Sequence, residues 1–306
     1  MKDVGMKPES LRSATATATF HAPADCIERI RHRDTEKGDP QATARIAGIL
    51  AAKRTDELLP LCHPLPIHAA EVHFEFADNR VIIEAEVHTI GPTGVEMEAL
   101  TAASMAALTL YDMLKPYAEP ADLAIGETRL LDKTGGKSHY KRTLKRPLSA
   151  CVLMVSDPVA DGHKLDTAGR QVVDGLEGAG FMPVDYQVLP DDAPRVDEAL
   201  RAAMAAKTHL IITVGGTGIG PKDRVVETVE PLLTTPMPGL MEAARAFGQR
   251  RTPYAVLSRG VSGFAHDSLV ATFPGSRSGA KETLAALLPS LIHVLEIRQR
   301  FAGHAG

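Results

Sequence analysis

Apolar and polar residues follow different patterns in the two halves of this 306-residue chain. In the first half they alternate, as at Val72, Phe74 and Phe76 and again along residues 81–87. Alternation with a period of two predicts strands with one buried face, and Asp78-Asn79 between the two stretches predicts a hairpin turn. In the second half, residues 148–156 (LSACVLMVS) and 209–214 (HLIITV) are continuously apolar. Such runs are typical of strands that are covered on both faces.

The first half alternates strands and helices in an order that predicts an α+β domain with an antiparallel sheet. The predicted elements are a strand at 13–20, helices at 25–33 and 41–58, the hairpin, a helix at 94–115 and a strand at 124–131. A flexible cationic loop, KTGGKS at residues 133–138, is expected to follow.

The helix at 94–115 (GVEMEALTAASMAALTLYDMLK) has charged residues at both ends and alanines between them. Its apolar positions Met97, Leu100, Leu108 and Tyr111 predict the buried face. Glu98 and Asp112 share one face but lie ~21 Å apart along the axis, so one small substrate cannot touch both within one chain. The small residues Ala102, Ala103, Ala106 and Ala107 would let an antiparallel helix approach across a two-fold axis. On this stretch alone, a core helix with solvated ends remains an equal alternative.

The second half alternates strands with helices at 167–178 and 196–206, which predicts a mostly parallel, three-layer α/β domain. Ligands of such sheets bind beyond the carboxyl ends of the strands. The residues expected there are Ser156-Asp157, Asp191 and the glycine-rich loop at 215–218 (GGTG), with Asp223 close behind it. Glycines at such an edge let backbone N–H groups approach an anion, although a bare GGTG is as typical of a tight turn.

Length and charge limit the classes of protein to which this chain can belong. A chain of this length, 44% hydrophobic, predicts two domains, which we divide into residues 1–146 and 147–306 at the basic stretch KRTLKR before Pro147. A net charge of −4 argues against a nucleic-acid partner. Cys26, Cys62 and Cys151 have no spacing typical of disulfides or zinc. Without a signal peptide or a stretch long enough to cross a bilayer, we expect a soluble cytoplasmic protein with no membrane partner.

Several motifs of the first half closely resemble the MoaC family, the cyclic pyranopterin monophosphate synthases of molybdenum-cofactor biosynthesis. They are RIAGILAAKRT, PLCHPL, TGVEMEALTAAS, YDMLK and KTGGKS, all within residues 1–146. The resemblance implies a ferredoxin-like subunit, a hexamer built from dimers, and active sites shared between subunits. It also implies a cofactor-free rearrangement of a cyclised dihydro-GTP, (8S)-3',8-cyclo-7,8-dihydroguanosine 5'-triphosphate, with release of pyrophosphate.

The same resemblance assigns the site residues. The catalytic roles fall on Lys37, His63, Glu98, Asp112, Lys115 and Lys137, and the substrate pocket on Leu61, Cys62, His63, Met97 and Glu98. Acids, bases and cations of this kind suit proton transfer on a polyphosphorylated substrate. One departure is His139, which stands after KTGGKS where the family usually has glycine.

The second half resembles the MogA/MoaB family of molybdopterin adenylyltransferases and related molybdopterin-binding domains. The motifs are VSDPVADG, VGGTGIGPKD, MPGLMEAAR, LSRGVSG and FPGS. The resemblance implies a trimer that transfers AMP from Mg²⁺-ATP to molybdopterin. It places catalytic carboxylates at Asp191 and Asp223, the latter linked to Mg²⁺, and ligand contacts at Gly215, Gly216, Thr217, Gly218, Ser258, Pro274 and Gly275. Lys222 and Val225 replace the family's usual arginine and threonine, so the alternative is a non-catalytic molybdopterin-binding module.

Overall fold

The structure is a computed structural model that describes residues 1–136, 144 and 146–302. For residues 301 and 302 it describes the backbone only. The chain divides into two compact units, Met1–Tyr140 and Lys141–Gly306. We call them the N-terminal unit and the C-terminal unit and describe each by itself. The boundary predicted between residues 146 and 147 stays a prediction, because most of the residues around it lie outside the described ranges.

Within its described residues, the N-terminal unit is an antiparallel sheet covered on one face by helices. Its elements are β1 (Ser10–His21), α1 (Ala24–His32), α2 (Pro40–Lys53), α3 (Thr55–Leu58), β2 (Ile67–Ala77), β3 (Arg80–Gly91), α4 (Glu96–Leu114) and β4 (Ala124–Gly135). The strand order is β2-β3-β1-β4, and every neighbouring pair is antiparallel. The predicted antiparallel α+β arrangement is confirmed.

Helix α4 packs on the sheet and on α2 through its alanines. Ala102, Ala103, Ala106 and Ala107 are all buried, whereas Met97 and Leu108 are 42% and 51% exposed. A Cβ built at Gly48 of α2 would lie 3.0 Å from the carbonyl oxygen of Ala102. Small residues on both helices therefore allow the two backbones to approach closely. The prediction that Met97 and Leu108 form the buried face was wrong.

Two further boundaries differ from the sequence-based expectation. Strand β4 continues to Gly135, because Lys133, Thr134 and Gly135 pair with residues of β1, so the first three residues of the predicted loop are strand. The helix predicted over residues 41–58 is interrupted at Arg54, where the backbone leaves the helical region before α3 begins.

The C-terminal unit is built around a mostly parallel sheet, as predicted. Its elements are β5 (Leu148–Val155), α5 (Asp157–Ala160), α6 (Ala168–Glu177), β6 (Phe181–Leu189), α7 (Ala193–Ala205), β7 (Leu210–Val214), α8 (Val225–Val229), β8 (Thr235–Pro236), α9 (Pro238–Gln249), β9 (Ser262–Ala265), β10 (Ser268–Phe273) and α10 (Arg277–Ala302). The strand order is β6-β5-β7-β10-β9-β8, with β9 and β8 antiparallel at one edge.

Each face of this sheet has its own apolar core. Alternate residues of β5 and β7 point to opposite sides, so Val152 and Ile212 join the cluster beneath α6, α9 and α10, while Leu153 and Ile211 join that beneath α7 and α8. The predicted three-layer arrangement follows from this division. No helix among the described residues is long and apolar enough to cross a membrane.

Candidate active sites

The C-terminal end of α4 holds a carboxylate between two lysines. Lys37, in the loop before α2, donates to Asp112 Oδ2 at 2.7 Å and to the Asp112 carbonyl oxygen at 2.9 Å. Lys115 Nζ lies 2.8 Å from Asp112 Oδ1. Hydrogen bonds from Lys115 and Lys37 lower the pKa of Asp112 to about 2, and the Asp112 carboxylate raises the pKa of Lys115. The Asp112 carboxylate therefore stays ionised near neutral pH, and the two lysine side chains beside it are partly exposed to solvent.

The N-terminal end of α4 holds a carboxyl group that is buried, in contrast to the exposed Asp112. Glu98 is only 4% exposed. Burial raises its pKa to about 7, and the negative charges of Glu96 and Asp56 act in the same direction. Cys62 is close by, since burial and the charge of Glu98 raise the pKa of its thiol. A carboxyl group with a pKa near neutrality can both accept and release a proton at physiological pH.

Other predicted residues of this half are neighbours of Cys62 and Glu98 in the chain. Leu61 and Met97 are exposed, and His63 Nε2 lies 2.8 Å from the carbonyl oxygen of Lys2. Glu96, the first residue of α4, binds Lys133 Nζ through its carboxylate at 2.8 Å. Lys137 lies outside the described residues, so its assignment stays a prediction.

The structure does not bring the two ends of α4 together within one chain. The helix is continuous from Glu96 to Leu114, which keeps Glu98 and Asp112 ~21 Å apart. The prediction that a helix of a second subunit packs on the alanines of α4 was wrong, because α2 of the same chain already covers Ala102 and Ala106. The exposed apolar residues of the described helices of this unit are instead Met97 and Leu108 on α4, Ile46 and Leu50 on α2, and Leu58 on α3.

In the C-terminal unit, the glycine-rich loop lies where neighbouring strands end. Gly215 follows β7 with a φ of 112°, and a Cβ there would lie 2.2 Å from the carbonyl oxygen of Val155 at the end of β5. A Cβ at Gly275, after β10, would lie 3.1 Å from Gly215 Cα. Only glycine permits this approach. Because β6 lies on one side of β5 and β7 on the other, the loop occupies the switch point of the sheet, where α/β proteins bind ligands.

The ends of β5 and β6 are joined by a reciprocal pair of aspartates. The backbone N–H of Asp157 donates to Asp191 Oδ2 at 2.9 Å, and that of Asp191 donates to Asp157 Oδ1 at 2.8 Å. Lys222 also donates to Asp157, and this hydrogen bond lowers the pKa of the Asp157 carboxyl. Asp157 and Lys222 thus fix the orientation of Asp191, a role that the sequence did not reveal.

Asp223 sits on a loop that Arg259 holds in place. Asp223 Oδ2 accepts a hydrogen bond from the backbone N–H of Gly220 at 2.8 Å. Arg259 donates to the carbonyl oxygens of Gly218 at 2.7 Å and Asp223 at 2.8 Å. Val225 is 3% exposed and packs against Gly216, so the residue that replaces the family's threonine belongs to the core under this loop.

These residues fit Mg²⁺ only together with phosphates. Among the described residues, no three His, Cys, Asp or Glu side chains are grouped to hold a metal ion. Proteins usually bind Mg²⁺ through one or two carboxylates plus substrate phosphates, and Asp191 and Asp223 beside a glycine-rich loop match that requirement.

A cavity of about 450 Å³ opens beside the glycine-rich loop. Its lining includes three predicted residues, Thr217, Ser258 and Pro274. It also includes Arg245, Arg251 and Glu282, which the sequence analysis missed as site residues. Arg245 lies in the MPGLMEAAR motif, which could have pointed to it. Nothing in the apolar periodicity distinguishes Glu282 from the other charged residues of α10.

Comparison with known proteins agrees with this division. Residues 1–136 match the MoaC family, and residues 151–293 match the probable molybdopterin binding domain. The chain is 37% identical over its whole length to a molybdenum cofactor biosynthesis bifunctional protein of Chlorobaculum tepidum, of which it covers 96%. The corresponding protein of Synechococcus elongatus is 38% identical, over 97% of each chain.

The chain belongs to the family of bifunctional molybdenum cofactor biosynthesis proteins. Its N-terminal MoaC part is also 51% identical to a cyclic pyranopterin monophosphate synthase of Roseiflexus castenholzii, over 45% of this chain and 87% of that protein. A MoaB of Thermus thermophilus, called a molybdopterin biosynthesis enzyme, matches 49% of this chain and 96% of its own with 39% identity and a TM-score of 0.47. The two family matches fall in separate units, so we look for two activities of one pathway in two places.

Proposed function

We propose that the N-terminal unit is a cyclic pyranopterin monophosphate synthase acting on the cyclised dihydro-GTP. The observation that supports this proposal most is the pair of unlike carboxyl groups on α4, Glu98 with a pKa of about 7 and Asp112 with a pKa of about 2. Such pairs separate proton transfer from charge stabilisation. Lys37 and Lys115, held by Asp112, offset the charge of the triphosphate, while Glu98 exchanges a proton with the ring system.

The phosphate chemistry of this step needs no further reactant. A substrate hydroxyl oxygen bonds to the α-phosphorus, the bond between the α-phosphorus and its bridging oxygen to the β-phosphorus breaks, and pyrophosphate leaves with that oxygen. The hydroxyl proton passes to a base of the site, for which His63 is the proposed group. Lysines near the leaving phosphates stabilise the charge that develops there.

One site must combine Glu98 and the Asp112 cluster from different subunits, because a single chain separates them by ~21 Å. We therefore propose that the N-terminal units form dimers of a ferredoxin-like subunit, assembled into a larger homo-oligomer such as a hexamer. The exposed apolar side chains of Ile46, Leu50 and Leu108 support this proposal, since burying them would stabilise an interface. The protein is proposed to work in the cytoplasm.

For the C-terminal unit we propose molybdopterin adenylylation with ATP. The glycine-rich loop at the switch point offers backbone N–H groups to the phosphates, and Lys222 adds a cation. Asp191 and Asp223 would hold Mg²⁺, which neutralises phosphate charge when bound. The molybdopterin terminal phosphate attacks the α-phosphorus of ATP, and pyrophosphate leaves. The second candidate, a non-catalytic molybdopterin-binding module, is favoured by the buried Val225 in place of a hydroxyl residue.

Two assays of the purified full-length protein test these proposals. With cyclised dihydro-GTP, we expect cyclic pyranopterin monophosphate and pyrophosphate without added cofactor. With molybdopterin and Mg²⁺-ATP, we expect adenylylated molybdopterin, and the Asp223→Asn variant should not form it. Molybdopterin binding without ATP consumption would support the second candidate, and the absence of both synthase products would contradict the first proposal.

A further inference from the structure

Glu282, in the second turn of α10, lines the cavity of the C-terminal unit in an unusual environment. Its side chain is only 16% exposed. The nearest cation is Arg251, whose Nε lies 3.9 Å from Glu282 Oε1, beyond hydrogen-bond distance. Within the part of the chain that the structure describes, no group donates a hydrogen bond to this carboxylate. A carboxylate withdrawn from bulk water is normally matched by hydrogen-bond donors, but the described residues give Glu282 only the long ion pair to Arg251, so the cavity wall presents a carboxylate that can still accept hydrogen bonds.

The cavity wall beside Glu282 is close-packed and partly apolar. A Cβ at Gly248 would lie 2.8 Å from Ala255 Cβ and 3.9 Å from Glu282 Oε2, so a side chain at this position would crowd the wall beside the carboxylate. Apolar groups of Met241 and Ala244 line the same cavity. Arg245 is already engaged, because its guanidinium donates to the carbonyl oxygens of Ser258 and Gly260. Glu282 is thus the carboxylate of this cavity that is placed to receive donors from a ligand.

We propose that Glu282 recognises the 2-amino-4-oxopyrimidine edge of a pterin ring. That edge carries two adjacent donors, the 2-amino group and N3–H, which match the two oxygens of one carboxylate. The neighbouring 4-oxo group is an acceptor, and the guanidinium of Arg251 lies on the same wall, where its Nη1 also donates to the carbonyl oxygen of Phe247 at 2.7 Å. This inference rests on the proposed function of the C-terminal unit and adds a specificity-determining residue to it.

The chemistry predicts discrimination against an isosteric ring. A lumazine differs from a pterin at position 2, where a carbonyl oxygen replaces the amino group and would face the carboxylate. A site whose polar groups are built for a donor rejects an analogue without it, because the buried acceptor is then unpaired. Charge-assisted hydrogen bonds of this kind correspond to about tenfold or more in affinity.

The test is the binding of 6-hydroxymethylpterin and 6-hydroxymethyllumazine to the full-length protein near neutral pH, followed by fluorescence or calorimetry. We expect the wild-type protein to bind the pterin about tenfold more tightly or better. Glu282→Gln offers one donor and one acceptor, so it should weaken pterin binding and reduce the preference between the two rings. Glu282→Asp retains the carboxylate and should retain the preference. Glu177→Gln, at the exposed end of α6, is the matched control and should bind like the wild type.

Equal binding of both rings by the wild-type protein, or no binding of either, would overturn the inference without any variant. An unchanged preference in a Glu282→Gln protein that melts normally would also overturn it. The proposed function is decided separately by adenylylation of molybdopterin. A protein that adenylylates but does not distinguish the rings refutes only the role of Glu282, and one that distinguishes the rings without consuming ATP refutes only the proposed catalysis.

Discussion

Glu98 and Asp112 show how one helix can give two carboxyl groups opposite properties. Glu98 is buried against the core, so its neutral form is favoured and its pKa rises to about 7. Asp112 lies in solvent between two ammonium groups, so its ionised form is favoured and its pKa falls to about 2. Position along α4 therefore decides which group exchanges protons near neutrality and which one stays charged.

The raised pKa of Glu98 makes the stability of the N-terminal unit depend on pH. The folded unit binds the Glu98 proton more tightly than the unfolded chain does, so this residue destabilises the fold as pH rises from its ordinary pKa of 4.5 through about 7. Glu98→Gln keeps the shape and cannot ionise. We expect the variant to match the wild type at pH 4.5 and to be more stable at pH 8 by about 1 to 3 kcal/mol.

Thermal unfolding of both proteins across this pH range measures the effect. Glu75→Gln, exposed on β2, is the control and should leave the pH dependence unchanged. A Glu98→Gln variant whose advantage over the wild type does not grow with pH would show that the Glu98 carboxyl does not titrate in this range.

The sequence could identify Glu98 but not its environment. The motif assigned the residue, and only the packing of α4 shows that its carboxyl group is buried. Glu282 could not be found in this way, because its burial results from α9 and the segment after it folding over α10.

Among the elements, the glycine-rich loop after β7 depends most on backbone geometry. Gly215→Ala would place a Cβ against the Val155 carbonyl at a left-handed φ, and both effects are unfavourable. We expect a loss of about 2 kcal/mol or more in the stability of the C-terminal unit, with loss of adenylylation. Gly239→Ala, in the first turn of α9, meets nothing within 4 Å and should be neutral or slightly stabilising. Equal melting temperatures for the two variants would mean that the loop tolerates a side chain.

Element types were predictable wherever the apolar period was clear. Strands β3 and β7 follow their alternating and continuous apolar patterns, and both are confirmed. The buried face of α4 was not predictable, since alanines rank low as apolar anchors yet bury fully when Gly48 of α2 lets the helices approach. The end of β4 was missed because pairing with β1 overrides the turn preference of Lys133-Thr134-Gly135.

For the whole molecule, two compact units imply that each activity can be removed alone. Asp112→Asn should lower synthase activity by about a hundredfold or more, because Lys37 and Lys115 lose their common anion. It should leave adenylylation unchanged.

Asp223→Asn should have the reverse effect, since the amide can still accept from Gly220 N–H but binds Mg²⁺ poorly. Assays of both activities on both variants measure this, and a variant that loses both activities while remaining folded would show that the units depend on each other.

The shared active site is inferred from the ~21 Å that separate Glu98 from Asp112 along α4. If one site takes these residues from different subunits, Glu98→Ala and Asp112→Ala chains should each be inactive alone as synthases. Mixed and allowed to exchange subunits, about half of the dimers pair unlike chains, and each has one intact site and one doubly defective site. Synthase activity should then recover to about a quarter of the wild-type level. Mixtures that demonstrably exchange subunits yet remain as inactive as the parent variants would contradict the shared site.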